Sequence, residues 1–328
     1  MKQQSLRWVA MLAAIPLIIP TSMLAGTAVS APDNKTQITA SQPVEKGAPL
    51  PLHTIDGVGG ILVTPTAYLV NTSERLGGFA GLPSASASFV GLDSKNIESL
   101  VVTETFLKRI EIGYAGSRFG LGSFDNAVYS AAGIHLTRSD VYMNTLNLRV
   151  QGLEESTYLP AITAAAQFKW NSGIDTVNNE LGRALSSIGY KSDNGVDFTL
   201  TATKMIKEPF TLNRPLLLSA GVRFSKAAWL GYVGFGDTYH ATVEANAAYS
   251  ITDWLWLAGE FRQNDYPYTH GIAVNGYNLV KPESNWWTAG AAFILNNHTT
   301  ATVGYGYFGN LLNSTVKYGW AAQIKYEF

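Results

Sequence analysis

Residues 318–328 read YGWAAQIKYEF. Trp320, Ala322, Ile324, Tyr326 and Phe328 alternate with Ala321, Gln323, Lys325 and Glu327. A period of two sends successive side chains to opposite faces of a strand. One face here is apolar and aromatic, and the other carries an amide and two charges. That pattern belongs to a strand with lipid on one side and a polar interior on the other.

The same alternation recurs upstream. In 238–251, Tyr239, Ala241, Val243, Ala245, Ala247, Tyr249 and Ile251 share one face, and Thr238, His240, Thr242, Glu244, Asn246 and Ser250 the other. Ile162, Ala164, Ala166, Phe168 and Trp170 alternate with Thr163, Gln167 and Lys169; Leu216, Leu218, Ala220, Val222 and Phe224 alternate with Ser219, Gly221, Arg223 and Ser225. Such segments fall at roughly 60–70, 84–91, 100–115, 142–152, 158–170, 195–206, 215–226, 238–251, 254–263, 286–295, 299–309 and 316–328. Each has about the length a tilted strand needs to cross a bilayer. The fold class expected is all-β: a transmembrane, antiparallel, up-and-down β-barrel of about twelve strands, within a range of ten to fourteen, with one short loop helix. The first two segments are the weakest, because Gly59, Gly60 and Pro65 disturb the pattern; if they fail to span, ten strands remain.

With the last strand ending in the periplasm, the short connections 153–157, 207–214, 252–253 and 296–298 are periplasmic, and the long segments 116–141, 171–194, 227–237 and 264–285 lie outside. Aromatics agree with that orientation. Tyr158, Tyr249, Trp254, Tyr326 and Phe328 fall at periplasmic ends, and Trp170, Trp229, Trp287 and Tyr307 at outer ends, forming two interfacial belts. Residues 318–328 also have the form of the terminal signal that barrels present to the barrel assembly machinery, with Trp320, Ile324, Tyr326 and Phe328 as its apolar face. Periplasmic chaperones and outer-membrane lipid are the other expected partners.

The N-terminus supports export. Lys2 and Arg7 precede an almost wholly apolar run from 8 to 19, and small residues follow to Ala31. This is a secretory signal peptide, 1–31, cleaved between Ala28 and Ala31. Residues 32–56 are rich in Pro, Lys, Gln and Thr and read as a flexible periplasmic lead-in, leaving 57–328 as the barrel. The expected location is the outer membrane of a Gram-negative bacterium. The chain has no cysteine, so no disulfide framework or lipoprotein anchor is available. Removing Lys2 and Arg7 from 23 basic residues leaves 21 against 24 acidic, a balance with no nucleic-acid partner in it.

If the apolar parity faces lipid, the opposite parity lines the lumen: Arg109, Glu111, Arg149, Gln167, Lys169, Asp197, Arg223, Glu244, Glu260, Arg262, Gln323, Lys325 and Glu327. Six positive and five negative charges nearly balance, whereas a strongly ion-selective pore carries a one-sided ring. Glu260 and Arg262 are placed to pair with Glu244 and Arg223 on adjacent strands. Two readings stay open: charges that neutralise one another to stabilise a nearly closed barrel, and residues lining a solute path.

Catalytic and metal chemistry find little footing. His240 and Glu244 share a face about 13 Å apart by strand rise, too far for a hydrogen bond, so His240 reads as part of a polar lumen. His270-Gly271 lacks an adjoining Ser and Asn, His298 sits in an Asn-Asn-His turn, and no two histidines have metal-ligand spacing. Gly57, Gly59 and Gly60 precede a strand rather than a helix, so they permit a tight entry into the barrel rather than cradle a phosphate. No metal or cofactor is expected. A helix over 175–189 carries the stripe Val177, Leu181, Leu185 and Ile188; it either constricts the pore mouth or packs on the rim.

Several phrases occur together: Pro51-Leu52-His53-Thr54-Ile55-Asp56-Gly57, Arg109-Ile110-Glu111-Ile112-Gly113-Tyr114-Ala115, Gly173-Ile174-Asp175, Arg214-Pro215-Leu216, Glu260-Phe261-Arg262-Gln263, Asn285-Trp286-Trp287 and Lys325-Tyr326-Glu327-Phe328. With them the chain resembles an uncharacterised exported family of Gram-negative outer-membrane β-barrels, a domain of unknown function, over about 50–328. The resemblance implies the barrel and its location; it implies no substrate and no site residue. The function expected is a passive channel or uptake protein for small solutes through a polar, charge-balanced lumen. The alternative is a structural or surface-interaction barrel acting through its loops, notably the aromatic 264–285. A barrel enzyme is the least supported class.

Overall fold

A computed structural model describes residues 50–72, 78–209 and 213–328. Twelve antiparallel strands close into one barrel: β1 Ser84–Leu92, β2 Lys95–Phe106, β3 Ile110–Gly120, β4 Asp140–Leu153, β5 Ala161–Ser172, β6 Asn194–Ile206, β7 Leu216–Ala227, β8 Phe235–Thr252, β9 Leu255–Arg262, β10 Trp286–Ile294, β11 Thr299–Tyr307 and β12 Tyr318–Glu327. Each strand pairs with its sequence neighbours, and β12 returns to β1 in the register Trp320↔Gly91 through Glu327↔Ser84. Closure matters because lipid offers no partner to an unpaired backbone N–H or C=O.

Alternation decides which face each residue takes. On β12, Trp320, Ile324, Tyr326 and Phe328 point outward and are exposed, while Gln323, Lys325 and Glu327 are buried. The inversion holds around the ring: Leu100, Ile112, Leu148, Phe168, Leu200, Phe224, Val243, Leu257 and Val303 are exposed, and Thr103, Glu111, Arg149, Lys169, Thr201 and Glu244 are buried. An exposed apolar belt around a closed barrel is a lipid-facing surface. The chain is thus an outer-membrane barrel. Tyr158, Trp254, Tyr326 and Phe328 are exposed at the end with short connections, and Trp170 and Trp287 at the end with long ones. Trp229 departs from its expected belt position; it is buried in the barrel mouth.

The count of twelve survives through two compensating differences. Residues 60–70 do not join the barrel, and the run 100–115 is two strands, β2 and β3, joined by Leu107, Lys108 and Arg109. Leu107 and Lys108 take positive φ of 51° and 59°, so the turn closes without glycine or proline. β1 consequently leads away from the periplasmic end, and Asp93 and Ser94 make a short outer turn.

The expected loop helix is broken in two, α2 Ile174–Glu180 and α3 Ala184–Ile188, where Gly182 and Arg183 adopt left-handed backbone. A further helix, α1 Phe124–Ala132, fills the loop between β3 and β4. In the loop between β9 and β10, Ile272–Val274 and Tyr277–Val280 form a hairpin.

Candidate functional site

The barrel interior is occupied by the chain's own residues 50–72. Leu52–His53 pairs with Gly59–Gly60 in a two-residue ladder, and a second tight turn brings Ile61 N–H to Thr64 O at 3.0 Å and Thr66 N–H to Gly59 O at 3.0 Å. Residues 51–56, expected in a flexible periplasmic lead-in, are buried here, and 60–70, expected as a first strand, fold inside the ring. The rest of the expected signal peptide and lead-in, 1–49, lies outside the described residues. Proximity to the wall explains the glycines. Gly57 has φ +89°, and a Cβ there would stand 2.7 Å from Ala115 Cβ; a Cβ on wall residue Gly113 would stand 2.5 Å from Gly57 O.

Polar wall side chains hold this plug mainly by its backbone. Glu260 accepts hydrogen bonds from the N–H groups of Leu62, Val63 and Thr64, at 2.9 Å and 2.7 Å for the last two, and from the Thr64 and Thr288 hydroxyls, both at 2.7 Å. Glu111 accepts from Gly59 N–H at 3.2 Å and Val70 N–H at 2.8 Å, and pairs with Arg149 at 2.9 Å. Arg149 donates to Thr66 O. The Thr203 hydroxyl accepts Ala67 N–H at 2.7 Å and lies 2.7 Å from the Ser219 hydroxyl on the next strand. Lys325 donates to Pro51 O at 2.5 Å and pairs with Glu327 at 2.6 Å. His53, invisible as a lumen residue in the sequence, lies 2.9 Å from both the Ser86 and Thr103 hydroxyls.

At mid-height the lumen charges form an alternating chain. Asp56 of the plug meets Lys169 at 3.1 Å, Lys169 meets Asp197 at 2.9 Å, Asp197 meets Arg223 at 3.2 Å, and Arg223 meets Glu244 at 2.6 Å. Arg262 continues it, 3.5 Å from Glu244 and 5.6 Å above the Trp286 ring. The wall members sit on consecutive strands β5, β6, β7, β8 and β9. Alternation of sign across five strands satisfies each buried charge with a neighbour of the opposite kind. Of the expected pairings, Arg262 does meet Glu244, whereas Glu260 binds the plug and Arg223 pairs with Glu244 and Asp197 instead. Arg109 is not in the lumen: it sits in the β2–β3 turn, exposed, and pairs with Glu154 at 3.0 Å.

Above this layer an apolar cap shuts the outer mouth. Phe119, Phe124, Val128, Val177, Leu185, Ile188, Trp229, Tyr232, Tyr268, Leu279, Trp286 and Phe308 belong to one buried cluster. The stripe of 175–189 thus packs across the mouth together with α1 and the loop hairpin. The aromatic loop turns Tyr268 inward while Tyr277 stays exposed. His240 pairs with Asp265 at 2.7 Å near the outer end, not with a lumen network. Glu283 accepts Trp229 N–H at 2.8 Å; burial of its carboxyl, only partly offset by that bond and by Arg262, pushes its pKa up to about 8.

The periplasmic half of the lumen has two unlike sectors. From β11 through β12 and β1 to β6 the inward residues include Thr300, Lys325, Ser86, Thr103, Glu111, Arg149, Thr163 and Thr203; from β7 to β10 they include Leu217, Ala248, Trp256, Ala258 and Ala292. The plug lies against the polar sector, and a cavity of about 470 Å³ remains against the apolar one.

Among solved structures the chain is similar to the KdgM porin (TM-score 0.44, 9% identity, 75% of this chain and 99% of that one). It is also similar to Omp33 of Acinetobacter baumannii (0.41, 10%, 76% and 100%) and to the COG4313 outer membrane channel from Pseudomonas putida F1 (0.42, 11%, 81% and 100%). A comparison with curated proteins finds no match. The model of one family, described as "Protein of unknown function (DUF3034)", matches residues 51–325, from the start of the plug to the last lumen lysine, and the chain belongs to that family.

Proposed function

We propose that the protein is an uptake channel held in a closed state, in which residues 50–72 are a releasable plug for small solutes to displace. The observation that supports it most is the chemistry of the plug's attachment. Glu260 and Glu111 bind backbone N–H groups, and Arg149 and Lys325 bind backbone carbonyls. Each such bond to an ionised side chain contributes about 1.5–3 kcal/mol net, and water can take its place when it opens. The plug's Leu52, Ile55, Ile61, Leu62 and Val63 belong to the buried apolar cluster, so release must also return that surface to water. An open passive pore is a poorer fit, since the plug fills the space a solute would cross. The reading assigns transport and no catalysis, with assembly through the barrel machinery and insertion in outer-membrane lipid.

Conductance across a planar lipid bilayer tests it. The native protein should stay mostly closed, and the double variant Glu111→Gln/Glu260→Gln should open more often at the same voltage. A variant lacking 50–72 should open more often still, with its closures set by the outer cap alone. Silence from all three at every voltage would end the channel reading.

A further inference from the structure

We infer that the apolar sector of the periplasmic half, facing the plug across the 470 Å³ cavity, is a binding site for a small, uncharged, largely apolar molecule. The inference deepens the uptake reading by naming a solute class.

A barrel interior that meets water needs polar side chains, and this one has them on β11, β12 and β1–β6. On β7–β10 the inward residues that line the cavity are instead Leu217, Ala248, Trp256, Ala258 and Ala292, and the plug turns Leu52, Ile61 and Leu69 toward the same space. Leu52, Ile61 and Ala292 belong to one apolar cluster, Ala248, Trp256 and Ala258 pack against it, and the cavity is the gap left between plug and wall. Packing normally leaves gaps of about the size of one water; 470 Å³ lies inside the range of about 300–1,000 Å³ typical of small-molecule pockets. Water filling such a space would leave both surfaces hydrated at roughly 25 cal/mol per Å² of apolar area, and an apolar guest removes that cost.

The lining also sets the ligand's charge. No Asp, Glu, Lys, Arg or His borders the cavity among the described residues, so an ionic ligand would lose its hydration with nothing to replace it. Of the polar groups at the edge, Tyr68 donates to Glu155 and the Gln151 amide donates to Ala67 O at 3.1 Å, while the buried Thr66 hydroxyl has no partner among the described residues and could take one hydrogen bond from a guest. The chain's own flanking sequence is a poor occupant. Residues 32–49, PDNKTQITASQPVEKGAP, hold only Ile38 and Val44 as large apolar side chains, and 73–77 reads SERLG.

The probe is naphthalene, titrated into the full-length folded protein in a sugar-headgroup detergent and followed by energy transfer from tryptophan. Saturable one-to-one binding is expected. Ala248→Phe and Ala258→Phe, made separately and each checked for a folded barrel by heat-modifiable gel mobility, should weaken it at least tenfold. Ala289→Phe, on the lipid face of β10, should leave it unchanged. Binding that does not saturate, or that is equal in native and both cavity variants, would overturn the site, as would saturable binding gained only when 32–49 are deleted. Failure here and failure of the channel reading are distinguishable: saturable binding in a protein that never conducts keeps the site and removes transport, and conductance without binding does the reverse.

Discussion

At the outer end Phe119, Val128, Leu185, Trp229 and Phe308 close the barrel by apolar contact; below them residues 50–72 close it by apolar contact through Leu52, Ile55, Ile61, Leu62 and Val63 and, in addition, by hydrogen bonds to Glu260, Glu111, Arg149 and Lys325. Apolar contact is non-directional and is lost only when surface is returned to water. A hydrogen bond to an ionised wall side chain is worth about 1.5–3 kcal/mol net and can be exchanged for one to water. On the proposed uptake reading both closures open, the plug by exchanging these bonds and the cap by parting its loops. The mid-height charge chain joins the two, because Asp56 belongs to the plug and Arg262 lies over Trp286 of the cap.

The largest effect should come from the charge chain. Asp197→Ala leaves Lys169 and Arg223 buried without their shared carboxylate, and should cost about 3–5 kcal/mol, read from denaturant unfolding of the detergent-solubilised barrel. In the cap, Leu185→Ala should cost about 2 kcal/mol, the low end for a leucine truncation because loops can settle into the space. It should show as faster proteolysis of the outer loops with the barrel unfolding midpoint nearly fixed. If the plug loosened instead, the division between the two closures would be wrong.

Much of this barrel was legible in the strands and little of it in the plug. Period-two alternation placed β4 to β12 and the lipid face because a strand has only two sides. It failed at 100–115 for a specific reason. Phe106 pairs with Ile110, so the turn holds three residues; an odd insertion keeps even-numbered side chains outward on both strands, and the alternation runs through the reversal unbroken. Arg109, inside that turn, inherited a lumen assignment it does not have. The plug escaped notice because its order comes from wall side chains 33 to 274 positions away, such as Ser86 for His53 and Lys325 for Pro51. Its nearest local signal is Gly57-Val58-Gly59-Gly60, where Gly57 marks backbone pressed against the wall and Gly60 marks backbone pressed against Thr64 and Pro65 of the plug itself. The balanced lumen charges were visible as a sum, but their order along β5–β9 needed the register.

Acidity should act on the cap through Glu283. Glu283 rises from an ordinary value of 4.5 to about 8 in the folded state, so the folded cap holds its proton more tightly than the unfolded chain. That stabilisation is complete below about pH 4.5, declines between there and about 8, and is gone above. Limited proteolysis of the 263–285 loop should accelerate from pH 6 to pH 9, and Glu283→Gln should flatten the dependence while keeping an acceptor for Trp229 N–H. The smallest effect belongs to Arg109→Ala, which removes an exposed pair with Glu154 and should change stability by no more than about 0.5 kcal/mol, with conductance unaltered.

Reversible tethering of the plug tests the account most directly. The chain has no cysteine, so an Ala67→Cys/Thr203→Cys pair, chosen where Ala67 N–H meets the Thr203 hydroxyl at 2.7 Å, can be oxidised without competing thiols. In the Glu111→Gln/Glu260→Gln background, single-channel openings should vanish on oxidation and return on reduction. Openings of the same size and frequency with the plug covalently fixed to β6 would contradict the claim that residues 50–72 must leave the lumen for a solute to pass.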